Sequence, residues 1–599
     1  MKNLLLILLA GFSFSVSIGS TAHAQLRVIA VSGQTAPTSD PTTVFDTVVP
    51  VAINIKGNVL IQASIVGDSI ISGENSLGMW IEEQPGVISQ VTQTGNQAFD
   101  MPAGVSFSAL PYPSGFSDSN HVMFTGRIVG PGIEDINGNC GIGAPDNDIG
   151  VWQANVNGGN LVVQAADAAP GTPEGTVFHC VHTNVRQNEL GGVAFSASVY
   201  DGTSRTKTGI WRTNGSGALE PVVLPGEQAL EIPTNTSSPF TIEFAKIVGH
   251  NNLGTVAAYL WENPSGTGSP SAISLSKNGL PRTTMALLED EILDIGPGVV
   301  IDAFGEISRD DFEVALNNHD RIAVPVTLKG PGIVPPDPVS PESLPAAQSP
   351  PGNNRAIAVL DLNQQPKVLV QSGQEVGGIG DSNLVYYSVG QFGVGSLGSR
   401  GSVLESPLGF NDEGEVLFQA SINSLVPDPN LNSLNNDGLW LIDKDQNTHI
   451  VIREGDIAPG TTEPFIFRSF QFEYMLNNLG QVAVEAVVGG KKGIWATDLQ
   501  GQLRLIVLEG QSIDLGNGDA RLVEELFVSL NPHEEPASIN ANSISNFNDR
   551  GQLTFGVRFP DGSSAAFVSN LVAIPEPTTC MLMVLATLAL RSSRCSVRT

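Results

Sequence analysis

Three stretches of this 599-residue chain carry residue types that could do chemistry. In the first, Glu134, Asp135, Asn137 and Asn139 precede Asp146 and Asp148 in a Gly-rich segment. Calcium takes roughly six to eight oxygen ligands, and alternating oxygen side chains supply them. Asp135, Asn137 and Asn139 are therefore a candidate metal loop. It departs from the helix-flanked calcium loop, because Cys140 stands where the turn glycine belongs and no terminal Glu follows. A plain surface loop is the competing reading. In the second stretch, His179, Cys180 and His182 lie in an apolar strand signal, where Cys180 and His182 share one face at period two. Two ligands fall short of a zinc site. In the third, Asp310, Asp311 and Glu313 cluster. Paired carboxylates serve glycoside hydrolysis, but 60 acidic residues make such clusters arise readily by chance. Gly-x-Ser-x-Gly, Walker, His-Glu-x-x-His and Cys-x-x-Cys patterns are absent, and 8 histidines leave little general-base material. Catalysis is unsupported by motif.

The elements that would position these residues are repeats. Asn-x-x-Gly followed by alternating apolar residues is a hairpin signal: Asn tolerates turn geometry, Gly supplies positive φ, and the alternation buries one face. Units start at Asn54, Ser117, Asn188, Asn251, Asn317, Asn411, Asn477 and Asn548. Three residues on stand Gly57, Asn120, Gly191, Gly254, Asp320, Gly414, Gly480 and Gly551; seven on stand Ile61, Phe124, Phe195, Ala258, Val324, Phe418, Val484 and Phe555. A second anchor is Gly-apolar-Trp, ending at Trp80, Trp152, Trp211, Trp440 and Trp495, five of the 6 tryptophans. An exposed aromatic row binding sugars and a buried row packing one sheet on the next are the alternatives, and the apolar area of Trp favours burial. A third signature follows several units: Gly455 to Gly460 (Gly-Asp-Ile-Ala-Pro-Gly), Asp167 to Gly171, and Gly33 to Pro37.

Repeats of 63 to 71 residues with four strand signals each predict an all-β fold, a β-propeller of eight four-stranded blades. The one longer interval, 94 residues between Asn317 and Asn411, holds a Pro-rich insert at 331–351. The run Asn188-Glu189-Leu190-Gly191-Gly192-Val193-Ala194-Phe195 resembles the repeat unit of bacterial exported tandem-repeat proteins of the choice-of-anchor type. That resemblance implies a repeat β fold over nearly the whole mature chain and brings no catalytic residues with it.

Residues 1–24 read as a secretory signal: Lys2, the apolar run Leu4 to Val16, then Ala22-His23-Ala24. At the other end, segment 574–599 carries Pro575-Glu576-Pro577, an apolar run from Cys580 to Leu590, and Arg591, Arg594 and Arg598. This order resembles the PEP-CTERM sorting signal, which implies an exosortase-type processing enzyme, transient membrane contact, and a cell-surface or extracellular destination. The mature body is then 25–573. With 60 acidic against 29 basic residues, a net charge of −31, the chain repels nucleic acid. Acidity favours solubility and divalent cations. In an exported protein Cys140 and Cys180 could pair or stand as free thiols.

Two function classes remain. One is a non-catalytic scaffold or binding module for exopolysaccharide or another surface polymer. The other is a secreted polysaccharide hydrolase or lyase. The Asn-x-x-Gly turns are short and uniform, whereas the connections Gly67 to Ser76, Gly130 to Asp148, Gly330 to Asn354 and Leu425 to Asp437 vary. Function is therefore expected on the variable face, opposite the turns. The last repeat has no fourth strand of its own. Leu26 to Gly33 reads like Leu503 to Gly510, so the N-terminal strand is expected to pair near Ala565 to Ser569.

Overall fold

The turn chemistry sets the local structure. Glycine takes the left-handed conformation in six turns, as Gly57 (φ 82°) and Gly480 (φ 73°) illustrate. In the two turns that lack it, Asn120 (φ 63°) and Asp320 (φ 60°) take the same conformation, as the local bonding of short polar side chains allows. Each turn reverses the chain between antiparallel strands.

The computed structural model describes residues 26–572 except 39, 111–112, 135–145, 203–204, 230–239, 263–269, 281, 305–313, 335–351, 363, 382, 390–407, 426–430, 432–435, 462–465, 517 and 528–544. The two terminal signals, Asp135, Asn137, Asn139 and Cys140, the cluster Asp310, Asp311 and Glu313, and nearly all of the Pro-rich insert lie outside the described residues.

The described chain is all-β, with no helix, and so holds no helix long and apolar enough to cross a membrane. Its strands form antiparallel meanders. The first runs through Val44–Ile53, Val59–Val66, Leu77–Gln84 and Val87–Gln93. The same order recurs in sheets beginning at Ser106, Val177, Phe244, Val300, Leu384 and Phe467. One parallel bridge, Thr208 to Phe244, joins two of them. This is a β-propeller-like arrangement. A last meander draws on both ends of the chain: Glu525–Phe527, Leu553–Arg558, Ser564–Ser569 and then Leu26–Val31. Leu26 lies opposite Ser569 and Val31 opposite Ala565, the pairing expected from sequence. Arg27 on this strand forms an ion pair with Glu82 of the first meander, whose side chain is 1% exposed.

The core explains the other two signatures. Trp80, Trp152, Trp211, Trp440 and Trp495 are fully buried, so they pack sheets rather than present a sugar-binding row. Residues two apart share a face of a strand, and each Trp folds back over the glycine two before it. A Cβ on Gly493 would lie 2.5 Å from Trp495 Cη2, and one on Gly78 would lie 2.6 Å from Trp80 Cη2. The Phe seven residues after the turn start pairs across the strand and stacks on the Trp, as in Phe124–Trp152, Phe195–Trp211 and Phe418–Trp440. A first-strand ring meets it edge-on, for example Phe178 on Trp211 at 4.8 Å and 86°. The loop signature supplies the hydrogen-bond acceptor: Trp211 Nε1 donates to Pro170 O and Trp495 Nε1 to Pro459 O, both at 3.0 Å. In these repeats the preceding loop satisfies a buried indole N–H, whereas Trp80 Nε1 and Trp440 Nε1 have no such acceptor.

Candidate functional site

The turns gather at one opening. The asparagine that starts each turn uses both ends of its amide. Asn477 Oδ1 accepts from Leu479 N (3.0 Å) and Gln481 N (2.9 Å), which closes its own turn. Its Nδ2 donates to Asn548 O at 3.0 Å, in the next repeat. The same step runs from Asn188 to Asn251, from Asn251 to Asn317, from Asn317 to Asn411 and from Asn411 to Asn477. Asn548 Nδ2 donates to Asn54 O at 2.8 Å, and Asn54 Nδ2 to Ser117 O at 3.2 Å. At Ser117 the side chain has no amide to pass onward. There the backbone takes over, with Asp118 N donating to Glu189 O at 3.0 Å. The bonds thus return to their start.

The residues one further along form the rim: Ile55, Asp118, Glu189, Asn252, Asn318, Asp412, Asn478 and Asp549. Their side-chain oxygens accept from the preceding turn's backbone, as in Asn318 N to Asp412 Oδ1 (2.8 Å) and Asn478 N to Asp549 Oδ1 (2.7 Å). Amides and acids also pair side by side: Asn252 with Glu189, Asn318 Nδ2 with Asp412 Oδ2 (2.9 Å), and Asn478 Nδ2 with Asp549 Oδ2 (2.8 Å). The rim stands over a cavity of about 80 Å³ whose lining includes Ile53, Phe116, Gln187, Phe410, Leu476 and Phe547. The site is polar and acidic at the mouth and largely apolar below.

Burial and neighbouring like charge raise the cost of ionising two of the rim carboxylates, Glu189 and Asp118. Glu189 is pushed up to about 7, first by desolvation and then by Asp118, Asp549 and Asp412, against the bond from Asn252. Its side chain keeps solvent contact, so the rise reflects crowding by walls and like charges rather than full removal from water. Asp118 is raised by desolvation and by Asp549, against the Ile55 N–H, Lys56 and Arg550. Among the described residues no three of His, Cys, Asp or Glu come together closely enough to hold a metal ion.

A cavity lies among the Asn-x-x-Gly turns, where the turn residues converge at the ends of the inner strands; much of the variable loops lies outside the described residues. A second, larger concavity of about 410 Å³ also touches these turns, lined by Gln153, Asn188, Arg212 and His250 among others. The His179–Cys180–His182 metal reading is corrected: Cys180 is disulfide-bonded, which removes the thiolate such a site needs. Cys180 and His179 are both buried. The sequence reading used columns one, four and eight of the repeat and passed over column two, the rim. The signal was present, since seven of its eight residues are Asn, Asp or Glu.

No curated protein matches the chain. Among solved structures it is similar to one described as the Dos1 propeller, at TM-score 0.32 and 9% identity over 91% of this chain and 95% of that one. It is also similar to the Trypanosoma rangeli sialidase in complex with the inhibitor DANA, at TM-score 0.27 and 10% identity over 92% and 96%. A third likeness is to a GH43 β-1,3-galactosidase, at TM-score 0.20 and 9% identity over 78% and 88%. A family profile matches residues 8–335 and 406–581, most of the chain, and the protein therefore belongs to that family, the family of unknown function DUF7453.

Proposed function

We propose that the chain is an eight-bladed propeller, its last blade completed by the N-terminal strand, that is exported and serves at the cell surface or in the matrix as a non-catalytic binding module for surface polymers, exopolysaccharide foremost. The observation that carries this reading is the returning set of asparagine bonds. Every turn amide in it is committed to holding its neighbour, so the mouth is preformed and rigid, which lowers the ordering cost of binding. Export rests on residues 1–24 and sorting on Pro575-Glu576-Pro577 with its apolar and basic tail, processed by an exosortase-type enzyme. Cys140 is the partner proposed for Cys180, a bond suited to an oxidising compartment. The test is affinity electrophoresis of the full chain through gels containing different polysaccharides, with parallel assay of reducing ends and unsaturated products. Retardation without product release is the expected result. Product release by the pure protein would overturn the non-catalytic reading.

One observation favours the alternative, a polysaccharide hydrolase. Glu189, pushed up to about 7 by desolvation, with Asp118 and Asp549 adding like charge, shares the mouth with further carboxyl groups, and glycoside cleavage uses a pair of carboxyl groups. If products appear, loss of turnover in Glu189→Gln would assign the activity to the mouth.

A further inference from the structure

We infer that the mouth seats a protonated amine carrying a neighbouring hydroxyl, the vicinal amino-alcohol of a free amino sugar. This rests on the binding-module reading and narrows it to amine-bearing polymers, such as a deacetylated amino-sugar chain.

Charge gives the sign. Asp118, Glu189, Asp412 and Asp549 face one opening, and the cations nearest to Asp118 are Lys56 and Arg550 at the tips of adjoining turns. The field therefore favours a cation. Spacing and lining give the type. Among the described residues no three of the acidic side chains come together as a metal cluster, and the rings of Phe116, Phe410 and Phe547 form part of the wall. A bare or fully hydrated metal gains nothing from such a wall, whereas an ammonium on carbon uses both parts.

The independent observation is Gln187. It lines the same cavity, is 1% exposed, and neither its Oε1 nor its Nε2 has a hydrogen-bond partner. Buried amides left unpaired are rare and unfavourable. Gln187 occupies the inner-strand position filled by Phe116, Phe410, Leu476 and Phe547 in other repeats. Gly115 makes room for it: a Cβ there would lie 2.7 Å from Gln187 Oε1. A carbonyl that can accept from an ammonium and an amide that can donate to a hydroxyl are the pair that an amino-alcohol satisfies.

The test is calorimetric titration of the full chain with a β-1,4-glucosamine tetramer, its fully N-acetylated counterpart, glucosamine monomer, and CaCl2 alone. The free-amine tetramer should bind at least roughly tenfold more tightly than the acetylated one and weaken with salt. Asp118→Asn keeps an acceptor for Ile55 N and should weaken binding by roughly five- to tenfold. Gln187→Leu should weaken it similarly while leaving the melting temperature unchanged or higher. A residue with only a structural role would lower both. Equal binding of the two tetramers overturns the inference and leaves polymer binding standing. Monomer binding without retention of any polymer upholds the amine site and sinks the scaffold reading. Calcium binding without amine binding overturns the inference, as does full affinity in both variants.

Discussion

Replacing Asn477 with alanine tests whether the turn bonds hold the repeats together. Asn477 is 3% exposed. The substitution removes the acceptor for Gln481 N and Leu479 N and the donor to Asn548 O. These losses differ in weight. Leu479 is exposed at 41%, so its N–H turns to water. Asn548 O keeps the bond from Gly551 N at 2.9 Å, so it loses one of two partners, about 0.5–1 kcal/mol. Gln481 is 1% exposed, and its orphaned N–H costs about 1–3 kcal/mol. The sum is about 1.5–4 kcal/mol. The control is Asn214→Ala in an outer hairpin, where Oδ1 caps Ser216 N and Ala218 N at 3.0 and 3.1 Å in an exposed turn; that loss should be about 1 kcal/mol or less. Urea unfolding followed by tryptophan fluorescence reads both variants, and Trp495 reports from the same repeat as Asn477. If the two substitutions shift the midpoint equally, the bond to the next repeat adds nothing and the rigid-mouth argument fails.

Other outcomes follow from named contacts. Deleting residues 25–33 strips the edge strand from Ser564–Ser569 and leaves buried Glu82 without Arg27. The melting temperature should fall far more than after truncation beyond Pro577, and equal shifts by scanning fluorimetry would refute the pairing's importance. Gly493→Ala places a Cβ 2.5 Å from Trp495 and should cost about 1–3 kcal/mol by overpacking; a neutral effect on urea unfolding would contradict the fold-back geometry. Glu189 rises from an ordinary 4.5 to about 7, and Glu454 to about 8, the latter through desolvation and Asp437. A raised acid binds more protons folded than unfolded, so its contribution is full below about 4.5 and is lost as pH rises through 7 and 8. Stability from these two groups should therefore decline across that window. Glu189→Gln and Glu454→Gln should each flatten the melting-temperature profile, and an unchanged slope would count against the crowding described for each.

What could be read from the sequence followed from how local each signal is. Asn477-Asn478-Leu479-Gly480 specifies its own turn through one side chain and one positive φ, so the hairpin was legible without any neighbour. Gly493-Ile494-Trp495 announced a strand, but the reason for its glycine, a ring lying back over the backbone, needs three dimensions. The onward bond from Asn477 to Asn548 spans 71 residues, and no pattern inside either repeat states that the two turns meet. The same distance hid the rim. Asp412 looks like any surface acid in Asn411-Asp412-Glu413-Gly414, and only its neighbours Asn318 and Asn478, from the repeats before and after, make it part of an opening. Uniform turns suggest a merely structural face when one repeat is considered alone, yet uniformity is what lets successive turns bond in the same way and enclose a common cavity. Departures from uniformity within that ring then mark where the face does more than hold itself together. Ser117 breaks the asparagine series, Ile55 breaks the polar rim, and Gln187 and His250 break the apolar inner-strand position beneath it. Of these, Gln187 lines the cavity with both polar atoms of its side chain unpaired, and that unmet bonding capacity is what points from architecture to a ligand.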